Sequence, residues 1–277
     1  MPPLMVAAER VAATVAQGVH GRRRVGQGDT FWQFRRYQSG DAASQIDWRQ
    51  SAKTQAAFVR ENEWEAAQTV WLWTDGSASM RYSSSREWPE KAERAAVLTL
   101  ALAVLLVRGG ERVALLGHGI PPSAGRNVLN RFAAALARPP EAGDNAPPLA
   151  PLPRHARLVL VGDFLSPPAE IERVVRAYAA RGVRGHMVQV LDPAEETLPF
   201  RGRIRFHGLE GEGELLIGRT EALREDYLAL LREHRAAIAD IARAVGWTWA
   251  SHRTDRPPQS ALLTLHSALS IAAGVGA

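Results

Sequence analysis

The chain contains the run Thr69-Val-Trp-Leu-Trp-Thr-Asp75-Gly-Ser77-Ala-Ser79. Its first six residues are β-branched, aromatic or aliphatic, which is typical of a strand buried on both faces of a sheet. Asp75 ends this apolar part, and Ser77 and Ser79 follow with only glycine and alanine between the three side chains. The run therefore predicts a buried strand that leads directly into a tight loop rich in side-chain oxygen atoms.

Strand and helix patterns alternate along the chain beyond this run. Arg157 to Asp163 is a second strongly apolar strand, and Gly185 to Leu191 is a third, with helical patterns between them. The apolar run Ala95 to Val107 is shorter than the roughly 20 residues that a membrane-spanning helix needs, so it predicts a buried helix. Together these patterns predict an α/β fold with a mostly parallel sheet and helices on both faces.

The N-terminal part of the chain has a different texture. Residues from about Leu4 to Gln17 have helical apolar spacing, whereas the segment from Gly21 to Glu65 mixes glycine, arginine and aromatic residues without a sustained period. Residues 21–60 hold eight Lys/Arg against three Asp, so the net charge of +5 is concentrated there. We expect a small β-rich appendage with the helix in residues 1–66 and the α/β domain in residues 67–277.

Composition and the N-terminal sequence indicate in which compartment the protein is expected to act. The chain of 277 residues has no cysteine, which excludes disulfides and thiolate chemistry and favours a reducing compartment. Its N-terminus lacks a basic leader followed by an uninterrupted apolar core, so it does not resemble a secretory signal. These observations predict a cytoplasmic protein that does not insert into a membrane.

Two predicted strands end in an aspartate. The carboxyl ends of parallel strands lie at one edge of a sheet, where ligands bind, so we expect Asp75, Ser77, Ser79 and Asp163 to lie together. Carboxylate and hydroxyl oxygens suit Mg²⁺, with Mn²⁺ and Ca²⁺ as alternatives, and do not favour zinc. A structural alternative remains open, in which the serines cap a turn and Asp75 bonds only to the backbone.

The pattern Asp-x-Ser-x-Ser after an apolar strand, with Asp163 ending a later strand, resembles the metal-ion-dependent adhesion site of von Willebrand factor A domains. That resemblance implies a von Willebrand A-like fold and a bound divalent cation. The family also uses a threonine from a loop between the two strands. Here no threonine occurs between Thr99 and Thr197, and Ser123 is the nearest substitute.

A second resemblance involves the N-terminal appendage and the C-terminal part of the chain. Its motifs are Gly28-x-x-Phe31, Arg36-Tyr37-x-x-Gly40-Asp41, Ile46-Asp47-Trp48, Ser51-Ala52-Lys53, Val59-Arg60-Glu61-x-Glu63, Tyr227, His234-Arg235, Gly246 and Thr254-Asp255-Arg256-Pro257. These motifs resemble the bacterial domain-of-unknown-function 58 family, which pairs such a segment with a von Willebrand A-like domain. Members are typically encoded beside MoxR-type AAA+ ATPases, so the resemblance implies an adaptor or chaperone that acts with such an ATPase, and it implies no enzymatic activity.

The appendage also offers candidate contacts for a partner protein. The candidates are Arg22, Arg23, Arg24, Arg36, Tyr37, Asp41, Asp47, Trp48 and Arg60. Guanidinium groups can pair with carboxylates and stack on aromatic rings. The same chemistry could instead form a structural network within the fold, and for Asp41, Asp47 and Trp48 that alternative has at least equal weight.

Three functions are compatible with these residues. The leading one is a non-enzymatic interaction module, in which a bound cation accepts an acidic side chain from a partner. A metal-dependent hydrolase is the second, but His118 is the only nearby candidate base, and Ser77 stands where a phosphatase-type site has a second aspartate. Nucleic-acid binding through the basic, aromatic segment from Arg22 to Arg60 is the third.

Overall fold

The computed structural model describes residues 3–19, 31–38, 46–53, 56–62, 68–138, 146–211 and 213–273. The chain divides into two units, one made of residues 1–19 and 68–277 and the other of residues 20–67. The larger unit contains the run from Thr69 to Ser79.

The strands include six that form one central sheet. In chain order they are β1 (Phe31–Arg36), β2 (Phe58–Asn62), β3 (Thr69–Thr74), β4 (Arg112–Leu115), β5 (Ile120–Ser123), β6 (Arg157–Gly162), β7 (Arg184–Leu191), β8 (Ile204–His207), β9 (Glu214–Ile217) and β10 (Thr248–Arg253). The central sheet has the order β10-β7-β6-β3-β4-β5. All its pairs are parallel except β4 with β5, which are antiparallel.

The helices lie before, between and after these strands. They are α1 (Pro3–Val19), α2 (Trp48–Ser51), α3 (Lys91–Arg108), α4 (Arg126–Leu136), α5 (Pro168–Ala179), α6 (Pro193–Thr197), α7 (Thr220–Ala244) and α8 (Pro258–Ala273). A short 3-10 helix, Ala78–Met80, follows β3. The predicted α/β fold, with a mostly parallel sheet between helices, is confirmed.

Alternate residues of the central strands enter two separate cores. Val70 and Leu72 of β3 and Val159 of β6 pack in the core that α1, α3, α4 and α8 cover. Trp73 of β3 and Leu160 of β6 point into the other core, which α5 and α7 cover. This period of two is the geometric consequence of a pleated strand with both faces buried.

Helix α3 lies against the sheet and is covered on its outer side by α1 and α8. Its residues from Leu98 to Leu106 are buried without interruption, which agrees with the buried helix predicted from the sequence. Within the described part of the chain, no helix is long and apolar enough to cross a membrane.

Helix α1 belongs to the larger unit and not to the appendage. Its buried side chains Met5, Ala8 and Val11 join the core that contains α3. The predicted boundaries, residues 1–66 and 67–277, followed chain order and so grouped this helix with the segment next to it. The apolar stripe of the helix instead pairs with α3, which is far away in sequence.

The smaller unit contains a two-stranded antiparallel sheet of β1 and β2. Asp47 caps the short helix α2 by accepting a hydrogen bond from the Gln50 N–H at 2.9 Å. Ser51 ties the end of this helix to β2, because its Oγ accepts the Phe58 N–H at 2.8 Å. The expected β-rich character of this segment agrees with the described residues.

One packing contact gives a direct test of the core between α7 and the sheet. A Cβ atom on Gly185 in β7 would lie 2.0 Å from ring atoms of the buried Trp247. Overpacking of this kind typically costs about 1–3 kcal/mol. We expect Gly185→Ala to lower the free energy of unfolding by that order in urea denaturation. Gly218→Ala is the control, since no atom of the described residues lies within 4 Å of its Cβ position, and equal effects of the two substitutions would contradict the packing.

Candidate metal centre

Three neighbouring strands of the sheet each end in an aspartate. Asp75 follows β3, Asp163 follows β6 and Asp192 follows β7, and all three are buried. Because these strands are parallel and adjacent, the three carboxyl groups lie at the same edge of the sheet. The sequence analysis used the first two and missed the third.

Asp75 is fixed by hydrogen bonds to the neighbouring backbone. Its N–H donates to the Val161 carbonyl of β6 at 2.8 Å, which extends the sheet pairing by one residue. Its Oδ1 accepts the N–H of Ser77 at 2.8 Å, which curls the loop back toward the strand. The Asp75 carboxylate therefore stabilises the local loop through a backbone hydrogen bond, as the structural alternative predicted. It is also close enough to Asp163 for the two charges to interact.

A chain of hydroxyl groups joins the ends of β3 and β6. The Ser77 and Ser79 Oγ atoms are 2.9 Å apart, and Ser79 Oγ donates to Asp163 Oδ2 at 2.7 Å. Since the single Ser79 proton is directed at the carboxylate, Ser77 is the donor to Ser79. The structure thus brings all four predicted ligands, Asp75, Ser77, Ser79 and Asp163, to one place.

A buried lysine that the sequence analysis missed completes this cluster. Lys91, the first residue of α3, places its Nζ 2.9 Å from Asp163 Oδ2 and 2.5 Å from Glu195 Oε1. Its side chain is 0% exposed. Burial lowers the pKa of Lys91, but Asp163 and Glu195 more than offset this effect, so the pKa is raised and the ammonium stays charged.

Gly162, the last residue of β6, leaves room for the Asp75 side chain. A Cβ atom at this position would lie 2.7 Å from the Asp75 Cβ and 2.9 Å from its Oδ2. Only a residue without a side chain permits this close approach. Gly162 was not among the predicted site residues, and its only local signal in the sequence is its place immediately before a strand-terminal aspartate.

Two side chains hold the turn that carries Asp163. Gln189 of β7 donates from Nε2 to the Asp163 carbonyl at 2.8 Å, and His234 of α7 donates from Nε2 to the Phe164 carbonyl at 2.7 Å. Phe164 has a φ of 52°, in the left-handed region that non-glycine residues rarely adopt. Strained backbone of this kind occurs at functional sites and persists where surrounding contacts hold it.

The two central carboxyl groups are not electrostatically equivalent. Burial is the main cause that raises the pKa of Asp75 from 3.8 to about 7, and the charge of Asp163 raises it further. Asp163 has the ammonium of Lys91 and the hydroxyl of Ser79 as direct partners. Among the described residues no cation is hydrogen-bonded to Asp75, and the charge of Lys91 lowers its pKa less than burial and Asp163 raise it. Additional positive charge next to Asp75 would therefore stabilise the site most.

Ser123 does not lie with the four predicted ligands, which corrects its suggested use as the threonine substitute. It pairs with Val113 near the beginning of β4, and thus near the amino end of a strand parallel to β3. The sequence analysis missed β5, whose antiparallel direction carries the chain away from the site. His118, the candidate base, lies exposed in the turn between β4 and β5.

The structure describes only some of the predicted partner contacts. Arg22, Arg23, Arg24 and Asp41 lie outside the described residues, as does the side chain of Arg60 in β2. Arg36 and Tyr37 are exposed, and 68% of Trp48 is exposed. Asp47 is the helix cap described above, which is the structural role that the sequence analysis kept as an alternative.

The composition of the site limits the kind of cation it suits. Within the described ranges, no group of three or more His, Asp or Glu side chains is arranged to hold a metal ion. A cation at this edge of the sheet would have to use serine hydroxyls as well as carboxylates. Such a donor set matches hard divalent ions and not zinc or copper.

The raised pKa of Asp75 predicts a pH effect in metal-free protein. The folded state keeps the Asp75 proton up to about pH 7, whereas the ordinary pKa of the group is 3.8. The folded state therefore binds more protons between these values, and the free energy of unfolding falls as pH rises through this interval. Asp75→Asn removes this loss, so between pH 5 and 8 the stability of the variant should rise relative to wild type by roughly 1–3 kcal/mol.

Urea denaturation in EDTA at several pH values measures this difference. Asp240→Asn is the matched control, because its side chain is 68% exposed on α7, and its stability difference from wild type should not change with pH. A constant difference between Asp75→Asn and wild type from pH 5 to 8 would contradict the electrostatics of the site.

Comparisons with known proteins give the chain its family. The model of the family described as protein of unknown function DUF58 matches residues 33–237. Uncharacterized protein Rv1480 of Mycobacterium tuberculosis is 30% identical over 277 aligned residues, which cover 92% of this chain and 86% of that protein. The relationship thus extends over most of both chains.

Two solved structures share a lower level of similarity. The conserved hypothetical protein BatB from Bacteroides thetaiotaomicron is 14% identical with a TM-score of 0.45, covering 74% of this chain and 99% of that one. An aerotolerance-related membrane protein from Bacteroides fragilis is 14% identical with a TM-score of 0.46, covering 73% and 98%. The description of the latter as a membrane protein contradicts the predicted cytoplasmic localisation, which we withdraw. The match over residues 33–237, together with the relative at 30% identity, shows that the chain belongs to the DUF58 family of proteins of unknown function.

Proposed function

We propose that this protein is a non-enzymatic interaction module that binds a divalent cation, Mg²⁺ first among the candidates, at Asp75, Ser77, Ser79 and Asp163. The cation keeps an open coordination position that an acidic side chain of a partner protein fills. In this proposal the larger unit acts as a von Willebrand A-like domain with a metal-ion-dependent adhesion site.

The convergence of four oxygen-bearing side chains at one sheet edge carries this proposal. The Ser77 and Ser79 hydroxyls bridge the strand ends through hydrogen bonds of 2.9 and 2.7 Å. Capping alone does not require a serine hydroxyl to reach a carboxylate on another strand. Four such donors leave at least two positions of an octahedral ion for water or a partner's carboxylate.

The electrostatics favour an acidic partner. Only two of the four proposed ligands are carboxylates, and Asp163 already shares its charge with Lys91. A divalent ion held by two neutral hydroxyls and two carboxylates, one of them paired with Lys91, keeps enough positive charge to attract an external carboxylate. One internal carboxylate already reaches the rim of the site, because Ser79 N–H donates to Glu210 Oε1 at 3.3 Å.

The family resemblance supports a particular class of partner. We propose that it is a MoxR-type AAA+ ATPase, because members of the family are typically encoded beside such ATPases. The exposed Arg36, Tyr37 and Trp48 of the smaller unit offer a second contact surface for it. Charge on both surfaces makes the association sensitive to salt.

Cation binding by the purified protein tests the proposal. Calorimetric titration of Mn²⁺ and Mg²⁺ into EDTA-treated and desalted protein should show one saturable site. Asp75→Ala should weaken binding by at least about tenfold, because it removes a carboxylate ligand. Asp240→Ala, which removes an exposed carboxylate on α7, should bind like wild type.

The same variants extend the test to the partner. A MoxR-type ATPase from the same organism should co-purify with wild type and Asp240→Ala in Mg²⁺, and much less with Asp75→Ala or in EDTA. Equal cation affinity of Asp75→Ala and wild type would contradict the metal site. Unchanged co-purification of the Asp75 variant would contradict its use in partner binding.

A further inference from the structure

The site contains a cation of its own, the ammonium group of Lys91. This group lies between two carboxylates from different elements, Asp163 at the end of β6 and Glu195 in α6. The Lys91 side chain is wholly buried, and Glu195 is 16% exposed. The three charged groups are therefore largely shielded from water. Charge interactions in such a buried environment are much stronger than at the surface.

Helix preference does not account for a lysine at this position. Lys91 is the first residue of α3, where the positive end of the helix dipole disfavours a cation. Burying an ammonium also costs free energy unless it is paired and hydrogen-bonded. The two carboxylates supply this pairing. The presence of a lysine here is therefore explained by its contacts in the site and not by the stability of α3.

Asp163 connects the lysine to the proposed ligands. Its Oδ2 accepts hydrogen bonds from both Lys91 Nζ at 2.9 Å and Ser79 Oγ at 2.7 Å. A divalent ion bound at Ser79 would lie close to the same oxygen and would repel the ammonium. Lysine and metal therefore compete for the charge of one carboxylate.

Glu195 has hydrogen-bond partners of its own besides the lysine. Its Oε2 accepts the Asp192 N–H at 2.8 Å in a capping box, and its own carbonyl accepts the Tyr227 hydroxyl at 2.8 Å. These bonds fix the position of the glutamate independently of Lys91, whereas the lysine side chain is long and has several rotatable bonds. A small movement of Lys91 Nζ would therefore break its contact with Asp163 and keep its contact with Glu195.

We propose that Lys91 sets the cation affinity of the site, and that Glu195 retains the ammonium when a divalent ion takes its place at Asp163. The inference rests on the proposed cation binding and assigns its control to two residues outside the ligand set. Lys91 keeps the affinity low and Glu195 raises it by drawing the ammonium away from Asp163.

Mn²⁺ binding to single and double variants at pH 8 tests this proposal, with free Mn²⁺ measured by electron paramagnetic resonance. Lys91→Met should lower the Kd by at least about tenfold, because it removes a positive charge within a few ångströms of the ion. Glu195→Gln should raise the Kd by about threefold or more. In the Lys91→Met background, Glu195→Gln should lose most of its effect, since it acts through the lysine.

Glu196→Gln is the matched control. It removes a carboxylate from the next position of α6, but among the described residues Glu196 pairs with Arg235 at 2.7 Å and Arg253 at 3.5 Å, whereas Lys91 pairs with Glu195. Its Kd for Mn²⁺ should equal that of wild type. Lys91→Gln, which keeps hydrogen-bonding capacity without the charge, gives the same test if Lys91→Met does not fold without metal.

The outcomes separate this inference from the proposed function. Equal Kd values for wild type and the Lys91 variants, with Mn²⁺ bound by both, would overturn the role of Lys91 and leave the metal site standing. An effect of Glu195→Gln that persists in the Lys91→Met background would overturn the transfer of the ammonium. Absence of Mn²⁺ binding in wild type and in every folded variant would overturn the proposed metal site together with this inference.

Discussion

Two buried carboxyl groups end neighbouring strands of the central sheet, and their mutual repulsion has to be compensated. Burial and Asp163 raise the pKa of Asp75 to about 7, while Asp163 is stabilised by Ser79 and Lys91. The loop from Asp75 to Ser79 supplies hydrogen bonds to both carboxyl groups. Gly162 leaves the space that the Asp75 side chain occupies. The edge of the sheet is therefore built to hold charge, at a cost that a purely structural turn does not need.

The local pattern of the sequence was sufficient to predict β3, β6 and β7 and the four clustered side chains. Apolar residues in continuous runs predicted β3, β6 and β7, and the rule that parallel strands end at one edge brought Asp75 and Asp163 together. Predicting that these two aspartates lie close together did not require knowledge of side-chain packing. It followed from strand direction and adjacency alone.

Other features depend on contacts between distant parts of the chain, which no local pattern specifies. Helix α1 pairs with α3, although about 70 residues of sequence separate their ends, and β5 runs antiparallel and takes Ser123 away from the site. The sequence contains a weak indication of the role of Lys91, because a lysine in the first turn of an apolar helix interacts unfavourably with the helix dipole. Its partner Glu195 lies 104 residues away, so only the fold identifies the pair.

The proposed divalent cation would bind beside the buried ammonium group of Lys91, which contacts Asp163 in the structure. The most direct test is a crystal structure of the protein soaked in Mn²⁺, with an anomalous difference map at the manganese edge. We expect a peak about 2.0–2.4 Å from the Ser77 and Ser79 hydroxyl oxygens, with Lys91 turned from Asp163 toward Glu195. A map without a peak at these serines, with Lys91 still on Asp163 at saturating Mn²⁺, would contradict it.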